Sequence, residues 1–506
     1  MKDIVIFDKA TDWLESHCVN DCSIMINSIE RIPYPEVTGY YIPTLLNWGY
    51  KNLAIKFANW LCEIQNEDGS WNAPDNSAAY VFDTAQVLKG LLAIEKYNKS
   101  VTKNIKKGCD WLISNINSQG RLLTPSQDAW GDGKTCSELI HLYCLTPLLE
   151  ADELFGEKTY APYVEKVISY YKNENMNEIL DFGFLSHFYA YVMEALVDLG
   201  EIDIAVKAME NIEQYQRKNG MIPAYKDVNW TCSTGMFQLA LVWYKLGKLE
   251  KGNKIFDYAC KLQNESGGWY GSYAGNICGR IGIGKRNIPK YFPKAEISWA
   301  VKYYLDALSY KNKLEFENIA HIFSDKIEKN DGRYRIILSN ILELNYDKKI
   351  QICDVGCGKG RYLRNLLTEN INAELYGIDI SSKVLKSITE KEIYTKIGSL
   401  TDIPCMNESF DLVYTVEALE HAVHTRNAIK ELVRVTKIGG KVIIIDKNIE
   451  KLGKLKLFSY ERWFDKSQIQ QIAQDCNCIC QIFDRVSYEK IEADGLFFAA
   501  VLTKQG

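Results

Sequence analysis

A chain of 506 residues exceeds one ordinary hydrophobic core and divides into two or three domains. Its hydrophobic share of 47%, charged share of 25% and formal net charge of −5 describe a globular protein and argue against a general binder of phosphate backbones, so no nucleic-acid partner is expected. No run of about 18 apolar residues marks a membrane span, and the opening MKDIVIFDKATDWLESHC lacks a signal-peptide core, so a cytoplasmic location is expected.

From the N-terminus the pattern is helical and repeats. Gln65, Gly69 and Trp71 in QNEDGSW recur as Gln263, Gly267 and Trp269 in QNESGGW with the same internal spacing. Trp60 and Leu61 before Gly69 are echoed by Trp111 and Leu112 before Gly120, and Gln216 keeps its step to Gly220, whereas the unit near residue 175 lacks a copy. Apolar segments beginning near Thr38, Phe82, Thr135, Ser186, Ser233 and Ile297 are each followed by an amphipathic helix with apolar residues at three- and four-residue steps, which makes about six helical hairpins. Glycines after the amphipathic helices permit left-handed turns. A closed (α/α)6 barrel with the apolar helices inside buries every hairpin's apolar face; an open solenoid is the alternative.

Two polar stretches interrupt this pattern. YPEVTGYYIP places Glu36 and Thr38 at the entry to one inner helix, and AWGDGKTCSELIH brings Trp130, Glu138 and His141 to the entry of another. Helix entries on one rim face a common cavity, where aromatic faces and carboxylates suit a sugar ring. Capping by Glu36 and Thr38, with His141 as a core histidine, is the alternative. The fifteen cysteines are scattered singly, and Cys232 has no nearby histidine, so reduced thiols and no metal site are expected. Cys476, Cys478 and Cys480 alternate along one strand face.

The repeat turns resemble those of the α/α-toroid proteins, which include terpene cyclases, protein prenyltransferases and several carbohydrate-active enzymes. The resemblance covers residues 1–310 and implies a fold, because the turn residues are structural in all of those families. YVFDTAQ is similar to the cyclase acid motif, but Asp83 stands alone where that motif has a cluster of aspartates. YPEVTGYYIPTLL, CSTGMFQLALVWYKLG and GGWYGSY resemble toroid proteins of bacterial surface-polysaccharide synthesis.

Residues 311–346 read as a charged helical linker broken at KNDGRY, and from 347 a different alternation begins. IQICDVG, ELYGIDIS, FDLVYTV and KVIIID are strands; RYLRNLLTEN, SKVLKSITEK and RNAIKELVRVTK are helices between them. Such alternation implies a parallel sheet covered on both faces, with ligands at the carboxyl ends of its strands. Asp354, Gly356, Gly358 and Gly360 lie in the first strand-to-helix turn, where missing side chains let backbone amides approach a ligand. Asp379 ends the second strand and can accept two ribose hydroxyls. Ser399 and Leu400 in GSLTDIP precede the fourth strand, and VEALEHAVH follows it. Nicotinamide enzymes share the glycine turn but not this whole series.

The ordered series resembles the class I S-adenosylmethionine-dependent methyltransferases, in particular the small-molecule branch with quinone and sugar methyltransferases, over about residues 345–505. The resemblance implies S-adenosylmethionine as cofactor. By it, Gly356, Gly358 and Gly360 admit the methionine end, Asp354 holds the amino group through water, and Asp379 binds the ribose diol with Ile380 against the adenine. Ser399 stands where the family often has an aspartate for the adenine amino group, a bond serine accepts more weakly, and the Leu400 amide serves the adenine too. Methyl transfer is an in-line displacement that aligns a nucleophile and, for a hydroxyl, removes its proton. Glu417 and His421, four apart, are expected on one face of a helical turn above the cofactor. His421 is the candidate base, Glu417 a cofactor contact, Glu420 a solvated residue and His424 a second base. In LFSYERWFDKSQ, Tyr460 and Trp463 lie over the cleft to stack on a sugar or to pack a lid.

The expected protein is therefore multidomain: an N-terminal all-α (α/α)6 toroid over 1–310, a helical linker over 311–346 and a C-terminal α/β Rossmann-like methyltransferase domain over 347–506. Its expected acceptor is a saccharide or nucleotide-sugar of bacterial surface-glycan biosynthesis, held by the toroid. A toroid with its own epimerase, lyase or hydrolase activity, or one that is a scaffold only, is the alternative.

Overall fold

The computed structural model describes residues 2–125, 137–275, 288–344, 348–455, 457 and 461–506. The chain forms two compact units. One holds Ile6–Leu46 and Lys51–Lys311; the other holds Asn47–Tyr50 and Asn312–Gly506, with the N-terminal residues up to Val5.

The first unit is helical. Amphipathic helices α1 (Lys2–Ser16), α3 (Lys51–Glu63), α5 (Thr102–Ser114), α7 (Ala161–Glu174), α10 (Ile202–Glu213) and α12 (Leu249–Cys260) alternate with apolar, mostly buried helices. These are α2 (Pro35–Asn47), α4 (Val81–Ile94), α6 (Thr146–Phe155), α9 (Ser186–Asp198), α11 (Ser233–Lys245) and α13 (Ser298–Ile319), whose residues from Asn312 on belong to the other unit. A short helix, α8 (Met176–Leu180), stands where the repeat lacks a copy. The third apolar segment opens as a 3₁₀ stretch, Glu138–Cys144, before α6. Its expected start, Thr135, lies outside the described residues. Pro147 sits in the first turn of α6, where a missing N–H costs no helical hydrogen bond.

The recurring Gln–Gly turns are built alike. Gln65 Nε2 donates to Gly69 O at 2.9 Å and to Asn104 O at 3.0 Å; Gln263 Nε2 donates to Gly267 O and Ile6 O, both at 2.9 Å. Gly69, Gly120, Gly220 and Gly267 have φ of 102°, 97°, 98° and 101°. A Cβ there would stand 2.3, 2.7, 2.0 and 2.0 Å from the carbonyl oxygens of Lys107, Lys166, Lys254 and Lys9. Each turn thus seats its glycine against a later amphipathic helix, α5, α7 and α12 in order, and the turn after α12 seats against α1. Trp71 and Trp269 pin the turns by donating indole N–H groups to Leu61 O and Ala259 O at 2.7 and 3.0 Å.

The second unit is built on seven strands: β1 (Ile350–Val355), β2 (Ala373–Asp379), β3 (Ile393–Ile397), β4 (Phe410–Val416), β5 (Thr436–Lys447), β6 (Cys478–Val486) and β7 (Phe497–Lys504). Their order across the sheet is β6-β7-β5-β4-β1-β2-β3. The five neighbours from β5 to β3 are parallel, and β7 runs antiparallel to β5 and β6. Side chains alternate between two cores, as a sheet buried on both faces requires. Cys353, Val355, Val413 and Ile444 pack with helices α17 (Thr425–Val435) and α18 (Lys466–Asp475); Ile350, Ile352, Leu412 and Ile443 pack with α14 (Gly332–Leu342) and α15 (Arg361–Leu367), and the short α16 (Ser382–Leu385) follows β2.

Two expectations change here. Helix α14 falls in the stretch read as a linker, yet Tyr334, Ile337 and Ile341 lie in the sheet's core, so this segment is a layer of the α/β unit. Cys476 closes α18 instead of lying on a strand, while Cys478 and Cys480 do belong to β6. Among the described residues no cluster of three or more His, Cys, Asp or Glu side chains is arranged for a metal, and no helix is long and apolar enough to cross a membrane.

Candidate functional site

Strand order reverses direction between β1 and β4, and the loops at their carboxyl ends open the crevice where α/β sheets bind ligands. The turn after β1 is tied to β2, since the amides of Gly356 and Cys357 donate to Ile378 O at 2.8 and 3.1 Å. Its three glycines, all at positive φ, do different work. A Cβ on Gly356 would stand 2.4 Å from the Ala418 Cβ, and one on Gly360 would stand 2.9 Å from Ile388 Cδ1. A Cβ on Gly358 meets nothing within 4 Å. Protein packing therefore explains Gly356 and Gly360, whereas Gly358 faces open space.

Asp379, at the end of β2, ties two loops together. Its Oδ2 accepts from Gly358 N and its Oδ1 from Ser381 N, each at 2.9 Å. Burial pushes this carboxyl up, and the amides oppose the shift. Each oxygen keeps a lone pair for a ribose hydroxyl. Ile380 follows it, half-buried. Asp354, near the end of β1, is 2% exposed, and its Oδ2 has no hydrogen-bond partner among the described residues. Burial pushes its carboxyl up to about 8, against the pull of Tyr414 and Arg361. That oxygen is an acceptor left open to a donor beside an open glycine turn, and the Tyr414 hydroxyl that acts on the same carboxyl is likewise without a partner among the described residues. Ser399 spends its hydroxyl on a turn, accepting from Asp402 N at 3.0 Å, and Leu400 packs against the core.

After β4 the expected helical turn does not form as read. Glu417 has φ +52°, and a 3₁₀ turn, Leu419–His421, begins beyond it, so Glu417 and His421 do not share one helical face. Glu417 Oε1 instead accepts from Arg333 Nη1 at 2.5 Å and from Arg361 Nη2 at 2.8 Å. Glu420, expected in solvent, is 2% exposed. It takes Lys447 Nζ at 2.9 Å and lies 3.4 Å from His421 Nε2, and its amide donates to the buried Asp446 at 3.0 Å. Packing against the end of β5 overrides the surface polarity that its sequence neighbours suggested. His421 is a third exposed and edges onto Phe316 at 5.0 Å between ring centroids. His424, the expected second base, caps α17 and meets Tyr50 Oη at 2.9 Å, and burial pushes it down to about 4. Trp463 donates its indole N–H to Glu461 at 2.9 Å, with Lys447 Nζ 5.7 Å from its ring. Tyr460 lies outside the described residues.

In the helical unit the expected residues fall into two clusters. Glu138 is held by Arg121, with Nε at 2.7 Å, and by the Tyr171 hydroxyl at 2.8 Å; His141 is buried with Nδ1 2.8 Å from Leu122 O. Trp130 lies outside the described residues. Glu36 is elsewhere, in the first turn of α2 and 4% exposed, and Thr38 is inside that helix, accepting from Ile24 N at 3.2 Å. Burial pushes Glu36 up to about 7, against the Tyr34 hydroxyl and Lys302. Asp83 faces it, fully buried, with both carboxyl oxygens lacking partners among the described residues; burial and Glu36 push its carboxyl well up. Phe82, His187 and Tyr143 surround Tyr191 at 4.8, 4.5 and 4.8 Å between centroids, and Lys302 Nζ lies 3.8 Å from the Tyr303 ring. The Glu36–Asp83 pair joins two helices and carried no local signal in the sequence.

Residues 353–444 match the family described as "Methyltransferase domain". Tocopherol O-methyltransferase of Arabidopsis thaliana is 35% identical over 109 residues, which are 20% of this chain and 31% of that protein. An uncharacterized protein of Methanocaldococcus jannaschii is 29% identical over 152 residues, 29% of this chain and 69% of its own. Norajmaline N-methyltransferase of Rauvolfia serpentina is 25% identical over 115 residues, 21% of this chain and 39% of its own. The chain thus spans less than two fifths of the length of either named enzyme. Among solved structures, a SAM-dependent methyltransferase from Aquifex aeolicus aligns with 38% of this chain and 95% of its own at 15% identity and a TM-score of 0.28. Residues 353–444 are a methyltransferase domain, whose cofactor is S-adenosylmethionine, and the orphaned Asp354, the open turn at Gly358 and the bridging Asp379 fit that cofactor.

Proposed function

We propose that the whole chain is an S-adenosylmethionine-dependent methyltransferase whose acceptor is a saccharide or nucleotide-activated sugar of bacterial surface-glycan biosynthesis, acting in the cytoplasm without nucleic acid. The observation that carries the cofactor half is the placement of the buried Asp354 carboxyl and the half-buried Asp379 carboxyl beside the open turn at Gly358. The cofactor supplies a methyl group made electrophilic by its sulfonium. Asp354 orients the amino group, Asp379 accepts the ribose hydroxyls, and Ile380, Ser399 and Leu400 lie along the adenine. Glu417 stands at the methionine end. His421 takes the proton of an acceptor hydroxyl, which in-line attack by oxygen requires. Tyr460 and Trp463 cover the acceptor.

The helical unit is read as a closed (α/α)6 toroid over 1–310 that holds the acceptor. The seating of the last Gln–Gly turn on α1, in the manner of the earlier turns, supports closure. Glu36, Trp130, Glu138 and His141 are its proposed acceptor contacts, supported by carboxylates set among aromatic rings. The buried Glu36–Asp83 pair favours a second reading, in which this unit performs a separate acid–base step on a glycan.

Tritium-labelled S-adenosylmethionine incubated with nucleotide sugars and, separately, with phenols tests the acceptor class. Label in the sugars is expected; label in phenols alone overturns the saccharide reading. Asp379→Ala tests the cofactor site, because two charge-assisted bonds worth roughly 1.5–3 kcal/mol each are lost. Calorimetric affinity for S-adenosylhomocysteine equal to that of the parent overturns the assignment.

A further inference from the structure

Behind Glu417 stands a chain of ionised groups that the sequence does not place together. Asp331 accepts from Arg333 at its amide, Nε and Nη2, at 2.9, 3.0 and 2.8 Å, and from Glu489 N at 2.7 Å. Arg333, 3% exposed, is fixed by these bonds, and its Nη1 is the donor that reaches Glu417. Arg361 differs from it. Its bond to Glu417 is the single hydrogen bond its side chain makes among the described residues, and that side chain is about a quarter exposed. Arg361 follows Gly360 directly, acts on the ionisation of Asp354, and lies with its guanidinium carbon 5.0 Å from the Tyr362 ring. Glu417 itself keeps a left-handed φ of +52°, which a non-glycine residue holds only where its surroundings fix it.

We propose that Glu417 is a counter-ion standing in for the cofactor's carboxylate, and that Arg361 is the residue that recognises this carboxylate when the cofactor binds. The inference rests on the methyltransferase reading above. Two guanidiniums face two carboxylates here, so the cluster is balanced and an incoming carboxylate has to take over a partner. Arg361 is the partner that can change hands. Its donor fork matches a carboxylate, and it has donors to spare. Glu417 can release it because Arg333 stays bonded to the same oxygen, and no buried carboxylate is left unpaired. On the other side Asp354 offers its free oxygen to the ammonium, so the two ends of the amino-acid group meet opposite charges. Direct binding of the ammonium by Glu417, as its sequence position suggests, predicts the opposite response to its neutralisation.

Isothermal titration calorimetry on the full chain, with S-adenosylhomocysteine and its decarboxylated analogue that keeps the amine, separates these roles. Arg361→Ala is expected to weaken S-adenosylhomocysteine roughly ten- to a hundred-fold and to leave the analogue unchanged, with Arg361→Lys between. Glu417→Gln is expected to bind S-adenosylhomocysteine several-fold tighter. Weaker binding by Glu417→Gln overturns the proposal, as does an Arg361→Ala protein that loses neither ligand or both equally. Should Arg361→Ala not fold, Arg361→Lys and Glu417→Gln decide alone. A parent protein that binds neither ligand defeats the methyltransferase reading; one that binds both alike defeats this inference only.

Discussion

Replacing Glu36 by glutamine is expected to remove a pH dependence from the stability of the helical unit. Burial raises the Glu36 carboxyl from its ordinary 4.5 to about 7. Below the unfolded value the group is protonated folded or unfolded and exerts no effect. As pH rises from there to the folded value, the unfolded chain gives up its proton and the folded chain does not, so stability falls and then levels off. A shift of this size corresponds to about 3 kcal/mol. Glutamine keeps the shape and an acceptor for Tyr34, cannot ionise, and relieves Asp83 of its neighbouring charge. Hydrogen exchange at pH 5 and pH 8, corrected for intrinsic rates and read on peptides from α2 and α4, measures the opening free energy of these helices. The parent should open more readily at pH 8 than at pH 5, and Glu36→Gln should keep only the shallower slope that the buried Asp83 carries by itself and be more protected than the parent at pH 8. Parallel pH slopes, or a mutant less protected at pH 8, would refute the reasoning.

Cofactor binding near pH 7 should release a proton, because Asp354, raised to about 8 by burial, is protonated in the free protein and ionises against an ammonium. Titrations of S-adenosylhomocysteine in buffers of different ionisation heat measure it, and Asp354→Asn should abolish the release. His421→Ala should lower the single-turnover rate on an oxygen acceptor by about 10²–10⁴-fold with cofactor affinity nearly unchanged; a rate within a few-fold at all pH values removes His421 as base. Gly358→Ala should lose only the roughly 1–2 kcal/mol that alanine costs at a left-handed φ yet bind S-adenosylhomocysteine weakly, since its methyl group enters the open space, whereas Gly356→Ala should lower the melting temperature further because its methyl group also meets Ala418. Melting curves with and without ligand distinguish the two.

Local pattern was enough for much of this protein. The repeat of Gln, Gly and Trp is legible because each turn is closed by its own residues, Gln65 to Gly69 and Gln263 to Gly267, and by tryptophans bonded ten residues back. The α/β half is legible for the same reason: runs of buried β-residues and a glycine turn are written within a few positions, and parallel pairing then places Asp354 and Asp379 at neighbouring strand ends. What the sequence could not decide is the state of its charged groups. Glu420 looked like a surface residue and nothing beside Glu417 announced its ion pair, since neither neighbourhood shows Arg333, 84 residues away, or the end of β5, 26 and 27 residues on. Asp83 looked unsupported for want of adjacent aspartates, yet Glu36, from another helix, faces it in the interior. A hydrophobic period is fixed by the residues that carry it, but the ionisation of a buried group depends on which charges and dipoles face it across a medium that screens little, and those arrive from distant parts of the chain.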